Sequence, residues 1–510
     1  MGGTRRATAR TLMYDAVAGV SVAMVGIPQS LAYAELAGMP PVAGLYAGAL
    51  PPVLAALFAS SPYLQTGPVA ITALLTAGAL GSLATPGSPE YVGLGLALAL
   101  VVGVVRVGLG LLRGGWLAYL MSQPMLLGFV PAAAVLIAAS QLPKALGAAP
   151  PGAGNEIVAA GWTLLHPGQW SLPALAVAAA TALVIVGARR IHPLVPGVLL
   201  AAVAGIGLTM LGGYPGAVVD HIPAGLPPFT LDGIPWHRLP ELLLPGAIIA
   251  LVGFSEAASI ARRFAAEDGT HWDSNREFLS QGVANLAAAA VGGMPCGGSF
   301  SRSSVNRMSG ARTRSSGAIT GATVLAFLPF AAVLEPLPLA VLGAIVILAV
   351  TGLLRFRPLV RLWRISPPQA AIAWATFLAT LVLAPRLDLA VLLGIGLSIL
   401  VFLWRLLQLD VDIAVRQGVV TIAPRGVLWF GTAQRLDDLL LDVLAKHPDA
   451  ARLVLDLTRL GRIDTTGALA LRSAVDRARD ADLDVDVRGI PPQSRRLTDL
   501  ILTPRTSPLE

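Results

Sequence analysis

The chain has 510 residues, of which 55% are hydrophobic and 13% charged, and its mean hydropathy is +0.72. Soluble domains usually carry about 25% charged residues, so an ordinary soluble enzyme is excluded. Positions 1–409 hold 22 basic and 14 acidic residues, net +8, whereas 410–510 hold 14 and 15, net −1. The basic excess lies between apolar runs, which points to orientation in a bilayer rather than to nucleic acid. One cysteine, Cys296, permits no internal disulfide, and no Cys/His cluster has metal-ligand spacing. Neither a metal nor a cofactor is expected.

In chain order, Arg5, Arg6 and Arg10 precede a long apolar stretch beginning near Ala16. The stretch is too long for the core of a secretory signal, and Pro40-Pro41 follows it instead of a clear cleavage site. A cytoplasmic segment 1–13 followed by a retained first span is therefore expected. Apolar segments able to cross about 30 Å of hydrocarbon recur up to Leu407, about fourteen in all, two of them short. They give a membrane domain over 14–408. With the N-terminus inside, sixteen basic residues fall on the inner side, among them Arg262, Arg263 and Arg361, against Lys144, Arg238 and Arg386 outside. That bias places both termini in the cytoplasm of a multi-pass protein of the inner (plasma) membrane.

Two segments are unlike ordinary spans. Gln65-Thr-Gly-Pro-Val-Ala70 and Gly292-Gly-Met-Pro-Cys-Gly-Gly-Ser-Phe-Ser-Arg302 each open a short helix with glycine and proline. Broken backbone at membrane depth survives only where it is buried in protein or lines a cavity. For one such cluster alone, close helix packing is an equally good reading. Their positions match, however: 232 residues separate Pro68 from Phe300, and 227 separate Gln29 from Glu256, polar interruptions of apolar helices. Two copies of seven spans, approximately 14–213 and 240–408, would be inverted relative to each other, as in secondary transporters with a site between broken helices.

A helix beginning at Pro68/Val69 and another near Phe300/Ser301 leave their first amides unpaired and positive. Two such starts facing each other favour an anion. Ser301 can add a hydroxyl, and Arg302 a charge; a snorkelling role for Arg302 is the competing reading. Gln29 and Tyr33, one turn apart, can look into the same cavity, although a buried Gln can also merely satisfy backbone. Glu256, deep in Val252-Gly-Phe-Ser-Glu-Ala-Ala-Ser-Ile260, is the favoured coupling residue. Burial favours its protonated form, suiting a proton carrier, while an ionised form would suit a cation. Glu35, near the outer end of its helix, is the alternative proton site or else a solvated residue.

Ile27-Pro-Gln-Ser-Leu-Ala-Tyr33, Ala37-Gly-Met-Pro-Pro-Val-Ala-Gly-Leu-Tyr46, Thr66-Gly-Pro-Val-Ala70, Gln281-Gly-Val-Ala-Asn285 and Ser299-Phe-Ser-Arg-Ser-Ser-Val-Asn306 together resemble the SulP, or solute-carrier 26, anion transporters. The resemblance covers nearly the whole chain. It implies an all-α polytopic domain of fourteen spans in two inverted seven-span repeats, divided into core and gate, with an anion between the third and tenth helices. By motif it assigns Gln29, Tyr33, Val69, Ala70, Phe300 and Ser301 to the site, with Arg302 beside them. Cargo in the family includes sulfate, bicarbonate, chloride, oxalate and small dicarboxylates, moved by symport, exchange or leak. In some sodium-coupled members an acid at the Glu256 position helps hold the cation, but Ile260 one turn later offers no oxygen, which favours protons here. The resemblance also implies a homodimer.

After Arg405 the pattern becomes mixed: a β-branched run Val419-Val-Thr-Ile-Ala423, an amphipathic run Thr432 to Ala445, the apolar strand Leu453-Val-Leu-Asp-Leu457 and a helix after Asp464-Thr-Thr-Gly467. This predicts a small α/β domain over 409–510, and its Ile463-Asp-Thr-Thr-Gly467 segment resembles a STAS domain, with a cytoplasmic partner as one expectation. In related regulatory proteins the position of Thr465 is phosphorylated; helix capping by Asp464, Thr465 and Thr466 is the stronger reading here. No nucleotide-binding glycine loop is present, so ATP-driven transport is not expected. The expected activity is proton-coupled symport of a small anion such as sulfate, bicarbonate or a C4-dicarboxylate. Exchange, channel-like leak, sodium-coupled bicarbonate uptake, a non-transporting sensor and a nucleobase symporter are the rivals.

Overall fold

The computed structural model describes residues 2–502 apart from 120, 121, 153, 220, 230 and 232. It divides into two compact units, Met1–Gly396 and Leu397–Glu510. The division falls inside a helix whose residues Ile399, Leu400, Phe402, Leu403 and Trp404 are exposed.

The first unit repeats one order of elements. Its first run is α1 (Gly2–Leu36), α2 (Pro41–Phe58), β1 (Gln65–Gly67), α3 (Ala70–Leu80), α4 (Pro89–Leu111), α5 (Gln123–Leu146), α6 (Glu156–Leu165), α7 (Leu172–Ile191) and α8 (Gly197–Met210). The second is α9 (Leu239–Asp268), α10 (Ser274–Ala290), β2 (Gly297–Ser299), α11 (Phe300–Met308), α12 (Ser315–Phe327), α13 (Leu339–Val350), α14 (Phe356–Ile365), α15 (Pro367–Val382) and α16 (Leu387–Leu406). In both, a three-residue strand and a short helix occupy the third place. In both, the sixth helix has 10 residues, about 15 Å at 1.5 Å per residue, too short to cross the hydrocarbon. With β1 and α3 counted together as one crossing, and β2 and α11 as another, the elements of each run other than that short sixth helix read as seven crossings, and an odd number inverts the second run against the first. Helix α1 starts at Gly2 and so takes in most of the segment expected to precede the first span.

Packing sorts these helices into two bundles. Helix α10 lies against α4 and α2, α12 against α2 and α1, and α9 against α4, which unites α1–α4 with α9–α12. Helix α5 packs on α13, α15 and α6, and α7 on α8 and α13, uniting α5–α8 with α13–α15, while Gly394 of α16 lies against Met125 of α5 and Thr376 of α15. These are the core and gate parts. With lipid outside, small residues rather than hydrophobicity bring the helices together: a Cβ at Gly103 of α4 would sit 2.8 Å from the Leu286 amide of α10, and one at Gly282 of α10 would sit 2.6 Å from the Val107 amide of α4.

The second unit has β3 (Asp410–Arg416), β4 (Val419–Leu428), α17 (Phe430–Lys446), β5 (Arg452–Asp456), β6 (Leu460–Ile463), α18 (Thr465–Asp480), β7 (Asp484–Arg488) and α19 (Arg495–Leu502). The mixed sheet runs β3-β4-β5-β7 with β6 beside β4; β3 is antiparallel to β4 and the other pairs are parallel. Val420, Ile422, Leu453 and Leu455 of the sheet share a core with Leu436, Leu440, Leu471 and Val475 of the helices. Asp464 caps α18 by accepting the Gly467 amide at 2.7 Å.

Candidate functional site

The two interrupted segments meet. Strands β1 and β2 pair antiparallel, with Gln65 opposite Ser299, Thr66 opposite Gly298 and Gly67 opposite Gly297. Each strand runs directly into a short helix, so an antiparallel crossing sends α3 and α11 away from each other with both N-termini at the crossing. Gly67 has φ +149°, a conformation closed to most side chains, and the fixed φ of Pro68 follows. Val69 is extended, at φ −138° and ψ 150°, and begins α3. On the other side Ser299 is the N-cap of α11 and its hydroxyl accepts the Arg302 amide at 3.4 Å. The remaining first-turn amides of both helices lack intrahelical partners.

Polar side chains of α10 brace the crossing. Gln281 donates to the Thr66 hydroxyl at 2.6 Å. Asn285 accepts the Cys296 amide at 2.8 Å and donates to its carbonyl at 3.1 Å. Ser303 accepts the Gln65 amide at 2.9 Å. The backbone that is broken at this depth is thereby satisfied from protein, as burial in lipid requires.

Arg302 does not snorkel. It is 3% exposed, and its Nη2 donates to the Pro68 carbonyl at 2.6 Å, joining the start of α11 to the start of α3. Its Nε has no hydrogen-bond partner. A Cβ at Gly67 would lie 2.9 Å from Nη1, and one at Gly26 of α1 would lie 3.6 Å from Cδ. Gly26, Gln29 and Tyr33 stand at i, i+3 and i+7 on α1 and form one stripe, so the helix face bearing Gln29 and Tyr33 is the face against Arg302. Pro28 within α1 withholds an amide there and loosens the local helix.

The structure thus brings together residues assigned from sequence. Gln29 and Tyr33 are buried at 3% and 4%, and the Gln29 Oε1 has no hydrogen-bond partner. Val69 and Ala70 are buried, Ser301 is half-buried with its hydroxyl 3.3 Å from that of Ser299, and Phe300 is exposed beneath the Arg263 guanidinium at 5.9 Å. Glu256 on α9 interacts electrostatically with Arg302, as Tyr33 does, and its Oε2 is buried without a hydrogen-bond partner. Glu35 stands elsewhere: its Oε1 is 2.8 Å from Lys144 Nζ, an ion pair between α1 of the core and α5 of the gate. The sequence reading missed Gly26 and Ser299; the i, i+3, i+7 stripe and the N-cap preference of serine were the signals available for them.

A family model described as "Sulfate permease family" matches residues 12–376, and one for the STAS domain matches 410–503. The chain is 34% identical to the chloroplastic sulfate transporter 4.1 of Arabidopsis thaliana over 398 residues, 76% of this chain and 57% of that protein. It is 34% identical over 406 residues, 78% of this chain and 71% of that protein, to a probable sulfate transporter of Mycobacterium tuberculosis strain CDC 1551. The chain therefore spans little more than half the length of the plant relative it matches. Among solved structures, the murine Solute Carrier 26 family member A9 anion transporter in its inward-facing state aligns with a TM-score of 0.86 over 96% of this chain and 87% of that one, at 20% identity. That likeness bears on the fold.

Proposed function

The chain belongs to the sulfate permease family, and on that premise we propose that it is a secondary transporter that carries a small anion between its core and gate bundles, with a proton as coupling ion. The observation that supports this reading best is the β1–β2 crossing, which sets two helix N-termini side by side with Arg302 between them. Amide dipoles and a guanidinium attract negative charge and need no metal or base to hold it. Sulfate leads the cargo, since the Arabidopsis relative is named as a sulfate transporter and the Mycobacterium one as a probable sulfate transporter; bicarbonate and C4-dicarboxylates follow. Glu256 is the proposed proton carrier because its Oε2 is buried without a hydrogen-bond partner, and Ile260 beside it is buried and supplies no oxygen for sodium. Glu35, held by Lys144, is the second choice. The proposed location is the plasma membrane with both termini inside, which the bias of basic residues supports, and the proposed assembly is a homodimer, which rests on the family resemblance.

Uptake of sulfate, bicarbonate and fumarate into proteoliposomes tests the reading at two pH values. An inward proton gradient is expected to drive accumulation of at least one of them with saturable kinetics. Flux unchanged on reversing the gradient would remove the coupling, and unitary currents in place of saturable turnover would make the pathway a channel. Accumulation of none of the anions would overturn the reading.

A further inference from the structure

Arg106 of α4 is 0% exposed and is the largest fully buried side chain among the described residues. Its guanidinium donates from Nε to the Ala250 carbonyl at 3.1 Å, from Nη2 to the Ile249 carbonyl at 3.1 Å and from Nη1 to the Cys296 carbonyl at 2.8 Å. Ile249 and Ala250 lie on α9, the helix that carries Glu256, and Cys296 immediately precedes β2. Gly253 makes room for the group: a Cβ there would meet Nη2 at 2.7 Å and the Thr72 hydroxyl, in the first turn of α3, at 3.2 Å. One guanidinium is therefore lodged where α9 and the approach to β2 meet, beside the start of α3.

Three carbonyls solvate this cation but do not neutralise it, and among the described residues no carboxylate forms an ion pair with it. Arginine stays charged in proteins, and a buried charge without a counter-ion is costly. A neutral donor could bridge the same carbonyls without that cost. The group that can offset the charge is one that comes and goes at the crossing, namely the transported anion.

The geometry points to Arg106 as a positioning residue and second fixed cation of the anion site, which sets the site's preference for substrate charge without touching the substrate. It ties α4 to α9 and to the residue preceding β2 and biases the loaded state toward dianions. The assignment rests on the anion-transport reading above. Because an electrostatic interaction scales with the charge of the guest, removing this cation changes the logarithm of affinity for a dianion twice as much as for a monoanion, whatever the separation.

The test is the apparent affinity of the full-length wild type, Arg106→Gln and Arg106→Lys for sulfate and for nitrate at matched ionic strength, read from uptake kinetics in proteoliposomes and from anion-dependent thermal stabilisation. Arg106→Gln is expected to weaken nitrate about threefold and sulfate about ninefold, the square of the first factor. Arg106→Lys keeps the charge but not the fork of donors, and is expected to keep the wild-type sulfate-to-nitrate ratio while melting earlier. Unaltered sulfate affinity in Arg106→Gln, an equal loss for both anions, or a loss confined to turnover would reduce Arg106 to a structural brace and overturn the proposal. If Arg106→Gln does not fold, a changed ratio in Arg106→Lys overturns it equally. Where the cargo is not sulfate, fumarate and bicarbonate serve as the dianion and monoanion; failure of the wild type to recognise any of these anions would instead bring down the transport reading, and this assignment with it.

Discussion

Arg302, in the first turn of α11, donates to the carbonyl of Pro68, the residue before the N-cap of α3, at 2.6 Å. A single charged hydrogen bond between residues 234 positions apart in the chain thus fastens two helix starts together. Hydrogen bonds to charged groups contribute about 1.5–3 kcal/mol, and here the charge also faces the proposed anion. Arg302→Met is expected to lower unfolding stability by about that amount and to abolish saturable anion uptake. A thermal melt and an uptake curve on the same preparation check both; normal uptake would show that Arg302 is only a fastening.

Gly67 lies against the same guanidinium. Its φ of +149° excludes an ordinary side chain, and a Cβ would meet Arg302 Nη1 at 2.9 Å. Gly67→Ala should displace the guanidinium and strain the turn, at a cost of about 1–3 kcal/mol, with uptake falling much further than stability. Uptake that tracks the melting temperature alone would contradict this.

Glu256 and Glu35 separate the coupling reading from a purely structural one. If Glu256 carries the proton, it loads in its protonated form, so uptake rises as the external pH falls. Glu256→Gln should flatten that pH dependence. Glu35→Gln breaks the pair with Lys144, a partly exposed contact worth about 0–1 kcal/mol, and should leave the pH profile in place. Initial uptake rates across a pH series, with wild type alongside, decide it; a wild-type profile in Glu256→Gln and a flat one in Glu35→Gln would transfer the role.

Much of this was legible in the sequence for a physical reason. Glycine and proline at the density of residues 65–70 and 292–298 cannot continue a helix, so both breaks and their matched places could be read directly. The β-branched and amphipathic runs of the tail likewise placed β4, α17, β5 and α18. What stayed hidden was how the breaks meet. Three-residue strands are too short for an alternation signal, so the antiparallel register of Gly67 with Gly297 has no trace in the sequence. Nor do the clamps from Gln281 and Asn285, whose partners are backbone atoms or lie far away in the chain. Strand β3, Asp410–Arg416, alternates with aspartates at an exposed edge, which reads as a polar linker. Arg106 is a lone charge in an apolar run, and its partners are carbonyls, which leave no mark in a sequence.

The central claim is that the anion sits at the paired starts of α3 and α11, facing Gln29. The most direct measurement is the half-saturation concentration of the best-transported anion in wild type, Gln29→Ala and Ser301→Ala. Each substitution removes one neutral hydrogen-bonding group, worth about 0.5–1.5 kcal/mol, so a rise of about two- to tenfold is predicted for each, with expression and melting temperature near wild type. Wild-type uptake kinetics in both variants would contradict the account and place the anion elsewhere.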